Sequence, residues 1–305
     1  MEPHENGDGG ETTESRGTGT LYVVSTPIGN LEDITLRALR VLKEVDLIAA
    51  ESVEHTRALC RHFGIQTKVT GYNQHNQRFK GTELIRRLES GSNVALVTNA
   101  GTPGVSDPGV LLARQAAEAE IRISPIPGPS AVTAALSISG MRGEKFVFFG
   151  FPANKSGKRR AELAELASDS RTLVFFEAPH RVKEMLSDVF EILGDREMVL
   201  LREISKIHEE VVHGRVSDLL ERIDRDQARG EYTIVVAGRA GGDKEIVLEE
   251  RIKKTIEKLM SKNIMSVKDI AKRIAEEEGV PWRRVYKACL SFRRGKKESI
   301  PAEER

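Results

Sequence analysis

Three loops rich in Gly and Pro are the strongest candidates for binding chemistry in this sequence. They are residues 25–30, 100–109 and 125–131, and they follow short apolar segments at 21–24, 94–97 and 121–124. Loops at the carboxyl ends of parallel strands are where open α/β sheets bind ligands, because they present free backbone N–H groups. One such loop alone is typical of an ordinary strand-to-helix turn. Three loops of the same build indicate a site for a polar small molecule.

Charged residues follow two apolar segments in the second half of the chain. They are Glu177, His180 and Arg181 after residues 172–176, and Arg202, Glu203 and Lys206 after residues 198–201. A charge placed directly after a buried strand needs a partner or has a function. These residues are therefore candidates for catalysis, and salt bridges that fix the starts of helices are an equally open alternative.

Several other kinds of chemistry are disfavoured. The seven histidines are scattered and the two cysteines lack metal-ligand spacing, so we expect no metal centre. Neither a phosphate-binding P-loop nor a GxGxxG motif is present. No apolar run approaches the ~18 residues of a membrane span, and no signal-peptide pattern is found, so we expect no membrane association and a cytoplasmic location.

The elements that must position these residues alternate along the chain. Strand and helix patterns alternate from Leu21 to Ser137, which predicts right-handed crossovers and a mainly parallel sheet. Within this part, residues 31–45 have helical periodicity, with Asp33 near the start as a predicted cap. Further strand patterns beyond a Gly-containing seam at 140–143 predict a second α/β domain. The expected organisation is a disordered tail at 1–19, an N-terminal α/β domain at 20–139, a second α/β domain at 140–240 and a basic helical module at 241–305.

The C-terminal segment is strongly basic. Residues 251–305 carry sixteen Lys and Arg against eight Asp and Glu, a net charge of about +8 in a chain whose total is +1. Residues 282–297 contain seven of these cations, no acid, and an interleaved Trp, Tyr and Phe. This pattern is typical of a nucleic-acid-binding surface, and a solvated basic helix face is the alternative.

Several motifs taken together resemble one known family. They are Ser25-Thr-Pro-Ile-Gly-Asn-Leu31 with Asp33-Ile-Thr35, Ala100-Gly-Thr-Pro103, Ser106-Asp-Pro-Gly109, Pro127-Gly-Pro-Ser-Ala131, Glu177-Ala-Pro-His-Arg181, and Arg202-Glu203 through Lys206. In this order they resemble the bacterial 16S ribosomal RNA (cytidine-2′-O)-methyltransferases of the tetrapyrrole methylase superfamily. The resemblance covers about residues 19–239, and the basic C-terminal module is also similar to that of the family.

The resemblance implies a fold, a cofactor and a substrate. The implied fold is two α/β domains of the tetrapyrrole methylase type (class III methyltransferase) with a small helical C-terminal module. The implied activity is methylation of a cytidine 2′-hydroxyl of 16S rRNA in the 30S subunit by a homodimer, with S-adenosyl-L-methionine between the two domains. Expected cofactor-binding residues are Pro27, Asn99, Ala100, Gly101, Thr102, Pro103, Gly104, Pro127, Gly128, Ser130 and Ala131. Expected catalytic residues are Glu177, His180, Arg181 and Lys206, and expected RNA-binding residues are Arg283, Arg284, Lys287, Arg293 and Arg294.

The sequence departs from the family pattern at three places. Thr98-Asn99 replaces Ser-Asp, residues 50–54 read Ala-Glu-Ser-Val-Glu in place of Ala-Glu-Asp-Thr-Arg, and residues 75–77 read His-Asn-Gln in place of His-Asn-Glu. Two alternatives therefore stay open: a catalytically impaired RNA-binding or ribosome-assembly protein, and a superfamily methylase with a small-molecule or protein substrate. Asn99 has the size of Asp but not its charge, so we expect Asn99→Asp to raise methyl transfer.

Overall fold

The computed structural model describes residues 17–225, 229–239, 250–261 and 265–278, together with residues 282, 285–286, 288–290 and 292. The chain divides into two compact units, Met1–Arg239 and Ala240–Arg305. Among the described residues, no helix is both long and apolar enough to cross a membrane.

The first part of the larger unit is a five-stranded sheet. Its strands are β1 Thr20–Val24, β2 Leu47–Ala50, β3 Val69–Gly71, β4 Val94–Val97 and β5 Arg122–Ile126. Its helices are α1 Leu36–Glu44, α2 Val53–His62, α3 Gln77–Glu89, α4 Val110–Glu118 and α5 Ala131–Ile138. All strand pairs are parallel, in the order β3-β2-β4-β1-β5, so the predicted parallel sheet is confirmed.

This strand order brings the three Gly/Pro loops together. The first two follow β1 and β4, and the third begins with the last two residues of β5; these three strands lie side by side with their carboxyl ends at the same edge. The neighbour of β4 on its other side is β2, whose last residue is followed by Glu51. The strand order therefore brings the loops at this edge together into a single candidate site, as is usual in parallel sheets.

Helices cover the first sheet on both faces, which explains why β2 and β4 are buried at every residue. Side chains of α1 and α2 pack on one face, including Leu42 and Leu59. Side chains of α3 and α4 pack on the other face, including Leu84 and Leu112.

The start of α1 differs from the sequence prediction. Asp33 is not its cap, because it belongs to a preceding 3₁₀ turn, Leu31–Asp33. Thr35 caps α1 instead, with its Oγ1 accepting a hydrogen bond from Ala38 N at 3.1 Å. The Asp33 carboxylate accepts a hydrogen bond from the Ser205 hydroxyl, far along the chain.

The second part of the larger unit is a mixed five-stranded sheet. Its strands are β6 Phe146–Gly150, β7 Thr172–Glu177, β8 Glu197–Arg202, β9 Glu210–Arg215 and β10 Tyr232–Val236, in the order β6-β7-β10-β8-β9. Its helices are α6 Ser156–Leu166, α7 Pro179–Leu193 and α8 Val216–Arg225. Only the β6–β7 pair is parallel.

Helix α5 packs against the second sheet although it follows the last strand of the first. Its Val132 and Ala135 are buried against Val174, Leu201 and Val235 of that sheet, while α6, α7 and α8 supply the core on the opposite face. The loop that precedes α5 is therefore fixed between the two sheets.

The smaller unit is helical in its described residues. Helices α9 Glu250–Ser261 and α10 Val267–Glu278 bury Ile252, Ile256 and Ile270 in a small apolar core. Both helices lie within residues 241–305, where a basic helical module was expected. The predicted RNA-binding residues Arg283, Arg284, Lys287, Arg293 and Arg294 lie outside the described residues.

Candidate active site

A cavity of about 520 Å³ lies where the loops of the first sheet face strand ends of the second. The first sheet contributes Ile28, Glu51, Asn99–Thr102, Val105–Asp107 and Ser130–Val132 to its walls. The second contributes Phe151, Phe176–Pro179, Glu203, Ile204, Lys206 and Glu231–Thr233. Its volume is within the ~300–1,000 Å³ range of small-molecule and cofactor sites.

Hydrogen bonds join the first two loops into one floor. Thr26 and Gly101 exchange backbone hydrogen bonds in both directions, at 2.9 and 3.0 Å. The hydroxyls of Ser25 and Thr102 lie 2.8 Å apart and share a hydrogen bond. Because these bonds fix the backbone, the loops form a preorganised surface.

Two glycines are required by this geometry. Gly101 has a φ of +73°, a left-handed conformation that a side chain disfavours. At Gly128, a Cβ would lie 2.9 Å from Ser25 Cβ, so the third loop approaches the first too closely for any side chain. A residue larger than Gly at position 128 would therefore push the third loop away from the first.

The wall of the cavity that the first sheet contributes contains the carboxyl groups of Glu51 and Asp107 and the side-chain amide of Asn99. Asn99 N donates a hydrogen bond to Glu51 Oε2 at 3.1 Å, and the buried Asn99 Oδ1 has no hydrogen-bond partner among the described residues. Burial and the nearby charge of Glu51 raise the pKa of the Asp107 carboxyl to about 6. This wall therefore holds a free acceptor and a carboxyl group that titrates close to neutrality.

A strained turn carries Asp107. Its neighbour Ser106 has a φ of +63°, in the left-handed region that non-Gly residues rarely occupy, and Gly104 and Gly109 are also left-handed at +85° and +147°. Backbone strain of this kind persists only where the surroundings hold it, and it is common at functional sites.

On the opposite wall, Lys206 is held between two carboxylates. Its Nζ lies 2.8 Å from Glu203 Oε1 and 2.8 Å from Glu231 Oε2. Burial lowers the pKa of Lys206, but the hydrogen bonds with Glu203 and Glu231 outweigh this effect and raise it above its usual value. Lys206 is therefore charged at neutral pH.

The loop around Lys206 also contacts the first Gly/Pro loop. A Cβ on Gly29 would lie 2.4 Å from Lys206 Cγ and 2.9 Å from the Ile204 carbonyl oxygen. Together with the hydrogen bond between Ser205 and Asp33, this contact holds the two walls of the cavity in place.

Glu177 is buried at the end of β7. Its Oε1 accepts a hydrogen bond from Ala178 N at 2.8 Å, and its Oε2 lies 3.2 Å from Arg181 Nη2. Burial raises the pKa of Glu177 despite the backbone hydrogen bond and the charge of Arg181. Arg181 also donates to the carbonyl oxygen of Pro152 at 2.5 Å, so it connects β7 to the segment after β6.

The structure brings part of the predicted site together. The predicted cofactor residues are all described. The cavity is lined by Asn99, Ala100, Gly101, Thr102, Ser130 and Ala131, but not by Pro27, Pro103, Gly104, Pro127 or Gly128. Of the predicted catalytic residues, Glu177 and Lys206 line the cavity, Arg181 does not but forms an ion pair with Glu177, and His180 is exposed to solvent. Sequence reasoning did not select Glu51, Ser106, Asp107 or Glu231. For Asp107 the available signal was its place in a Gly/Pro loop after a buried strand.

Among residues 17–225 and 229–239 and the described helical residues after 250, no cluster of three or more His, Cys, Asp or Glu could hold a metal ion. The ionisable side chains that line the cavity are those of Glu51, Asp107, Glu177, Glu203, Glu231, Lys206 and Tyr232.

Comparison with known proteins assigns the chain to a family. The sequence profile of the Tetrapyrrole (Corrin/Porphyrin) Methylases matches residues 20–220, which is more than half of the chain. The chain belongs to the tetrapyrrole methylase family. The predicted fold class is thereby confirmed, and the family match includes both sheets except β10.

Relatives within the tetrapyrrole methylase family are similar over almost their whole length. One is the protein named "Ribosomal RNA small subunit methyltransferase I" in Pseudomonas aeruginosa. Its sequence is 42% identical to this one, over 91% of this chain and 99% of the relative. The corresponding protein of Synechocystis is 40% identical over 90% of this chain and 98% of the relative. The chain belongs with these methyltransferases, and the resemblance found in the sequence motifs is confirmed.

Solved structures agree with the fold. Uroporphyrin-III C-methyl transferase from Thermus thermophilus, solved with S-adenyl homocysteine, matches with a TM-score of 0.54 at 21% identity, over 72% of this chain and 97% of that one. A diphthine synthase matches with a TM-score of 0.55 at 18% identity, over 72% of this chain and 90% of that one. At these identities the likeness shows the fold.

Proposed function

We propose that the protein transfers the methyl group of S-adenosyl-L-methionine to the 2′-hydroxyl of a cytidine in 16S rRNA of the small ribosomal subunit. The observation that carries this proposal is the cavity between the two sheets, where a preorganised floor and a carboxyl group face one space in a tetrapyrrole methylase. Relatives named ribosomal RNA small subunit methyltransferase I support the substrate class. The motif resemblance supports the cytidine 2′-hydroxyl.

The residues of the floor fit the cofactor. The first turn of α5 lines the cavity, and its N-cap residue Ser130 makes no side-chain capping bond, so N–H groups there are available to a carboxylate. The unpartnered Asn99 Oδ1 is available to an amino or hydroxyl group. We assign cofactor binding to Asn99–Thr102, Ser130 and Ala131. Bound there, S-adenosyl-L-methionine would supply a methyl group on a positively charged sulfur.

We assign to Asp107 the removal of the proton from the ribose hydroxyl. Its carboxyl lines the cavity on a strained turn beside the cofactor floor. With a pKa of about 6, Asp107 is ionised at neutral pH and more basic than an ordinary carboxylate. The hydroxyl is a weak acid, so the base is needed only as the oxygen begins to bond to the methyl carbon. Much of the rate then comes from holding the oxygen in line with that carbon.

The second-sheet residues act as positioning groups in this proposal. Lys206 is protonated at neutral pH and cannot accept a proton, so its role is to hold Glu203 and Glu231 and to favour negative charge nearby. Glu177 and Arg181 fix the segment after β7. The surface position of His180 favours contact with RNA rather than with the cofactor.

The wider organisation is also part of the proposal. We propose that the division into domains at 20–139, 140–240 and 241–305 reflects two cofactor-binding walls and a basic RNA-binding module. We further propose a homodimer that acts on 30S subunits in the cytoplasm. Sedimentation of the free protein and of its mixture with 30S subunits tests both assemblies.

Labelled S-adenosyl-L-methionine tests the substrate class. Purified 30S subunits that lack the modification should accept about one methyl group per particle, whereas 50S subunits should accept none. If calorimetry shows cofactor binding but neither subunit is labelled, the protein is an RNA-binding protein or acts on another substrate.

A further inference from the structure

The C-terminal unit carries a stacked aromatic pair that the proposed chemistry does not use. The rings of Trp282 and Tyr286 lie with centroids 4.9 Å apart and planes 14° apart. Both residues are helical and four positions apart, so they are neighbours on one helix face. Tyr286 packs against the small apolar core of the unit, whereas Trp282 is 39% exposed.

This arrangement presents a preset flat surface to solvent. Since Tyr286 is anchored in the core and covers one face of the indole, it fixes the plane in which Trp282 lies. A side chain that is ordered in advance loses little entropy on binding, which favours affinity for a planar group.

The sequence that contains the pair is strongly basic, and this indicates what kind of molecule carries that planar group. The segment 282–297 has seven Lys and Arg and no Asp or Glu. Cations attract a phosphate backbone, and an aromatic ring takes the bases of a single strand by stacking. Bases within a duplex are already stacked and do not reach such a surface.

We propose that Trp282, supported by Tyr286, is a stacking site for an unpaired base of single-stranded RNA. This inference rests on the proposed function, because it takes RNA to be the substrate. Phosphate contacts from the neighbouring cations supply affinity that depends on salt, and the aromatic pair supplies affinity that depends on an unpaired base.

The chain offers a direct test because Trp282 is its only tryptophan. Indole fluorescence of the whole protein therefore reports on this site alone. A single-stranded RNA oligonucleotide of mixed sequence should quench it, and a duplex of the same length should not. Heparin and poly-glutamate, which carry negative charge without bases, should also leave it unchanged. Saturating single-stranded RNA that leaves the fluorescence unchanged would overturn the proposal, and so would equal quenching by heparin.

Variants separate stacking from overall RNA binding, which is followed by the anisotropy of labelled RNA. Trp282→Ala should weaken binding of the single strand roughly 5- to 150-fold, and Trp282→Phe should retain most of the affinity. Phe79→Ala is the matched control, because this residue is 81% exposed on α3 in the other unit, and it should bind as wild type. Normal affinity of Trp282→Ala with intact methyl transfer refutes the stacking site only. Absence of RNA binding and of methyl transfer in the wild type refutes the proposed function as well.

Discussion

The assignment of Asp107 as the base predicts a specific pH dependence. A carboxyl with a pKa of about 6 is roughly 10% ionised at pH 5 and roughly 90% ionised at pH 7. Single-turnover methyl transfer should therefore rise about tenfold per pH unit well below pH 6 and level off above pH 7. Asp107→Asn should remove this dependence together with ~100-fold or more of the rate, since base catalysis contributes ~10²–10⁴-fold.

Glu51 provides the matched perturbation. Its charge is a secondary cause of the raised pKa of Asp107, after burial. Glu51→Gln removes the charge but keeps the size, so the midpoint of the pH profile should move to lower pH while the plateau rate is largely retained. A profile that keeps its midpoint in Glu51→Gln, or its shape in Asp107→Asn, would refute the role of Asp107.

The same carboxyl should reduce stability at neutral pH. The pKa of Asp107 is about 6 in the folded protein and 3.8 for an unperturbed Asp, so stability is lost as the pH rises from about 4 to about 6 and the loss persists above that. Each pKa unit corresponds to ~1.4 kcal/mol, and solvent screening of this half-buried group leaves ~1–2 kcal/mol. Asp107→Asn should therefore raise Tm by roughly 2–8 °C at pH 7.5 and leave it unchanged near pH 3.5. Equal or lower Tm at pH 7.5 would contradict the shift.

Three further predictions concern the floor, the departure at Asn99 and the basic module. Gly128→Val should push the third loop away from Ser25 and weaken S-adenosyl-L-methionine binding in calorimetry by tenfold or more, whereas Gly143→Ala, which meets no atom within 4 Å, should bind normally. Asn99→Asp adds a third carboxylate beside Glu51 and Asp107, so the structure argues against the gain expected from the sequence: the pH midpoint should rise and activity at pH 7 should fall, and higher activity there would favour the family pattern. Replacing the Arg at 283, 284, 293 and 294 by Gln should weaken binding to 30S subunits and reduce the salt slope by up to about four, with cofactor affinity unchanged; a wild-type slope would contradict phosphate contact.

Much of the fold could be predicted because buried parallel strands are continuous apolar segments. Strand β4 is of this kind, and its bounds are those of the apolar segment at 94–97. Strand β3 was missed because it has only three residues, and β9 because this edge strand, Glu-Val-Val-His-Gly-Arg, mixes polar and apolar residues. Edge strands lack a second covering layer, so their sequences carry a weaker signal.

The site was predicted only in part for a different reason. The loop backbones follow from local Gly and Pro content, so Asn99–Thr102 and Ser130–Ala131 could be found. Glu51 lies near Asp107 because β2 and β4 are neighbours in the first sheet. Lys206, in the loop between β8 and β9, meets Glu231, just before β10, because β8 and β10 are neighbours in the second sheet. Asp33 shows the same limit, since its partner Ser205 lies 172 positions away.

Nucleoside analysis of treated 30S subunits tests the central claim most directly. Unmodified subunits are incubated with the protein and labelled S-adenosyl-L-methionine, and the 16S rRNA is digested to nucleosides and separated. The label should be found in 2′-O-methylcytidine with the wild-type protein and be at least ~100-fold slower to enter it with Asp107→Asn. Label in a base-methylated nucleoside, in a ribosomal protein, or in 2′-O-methylcytidine at equal rates for both proteins would contradict the account.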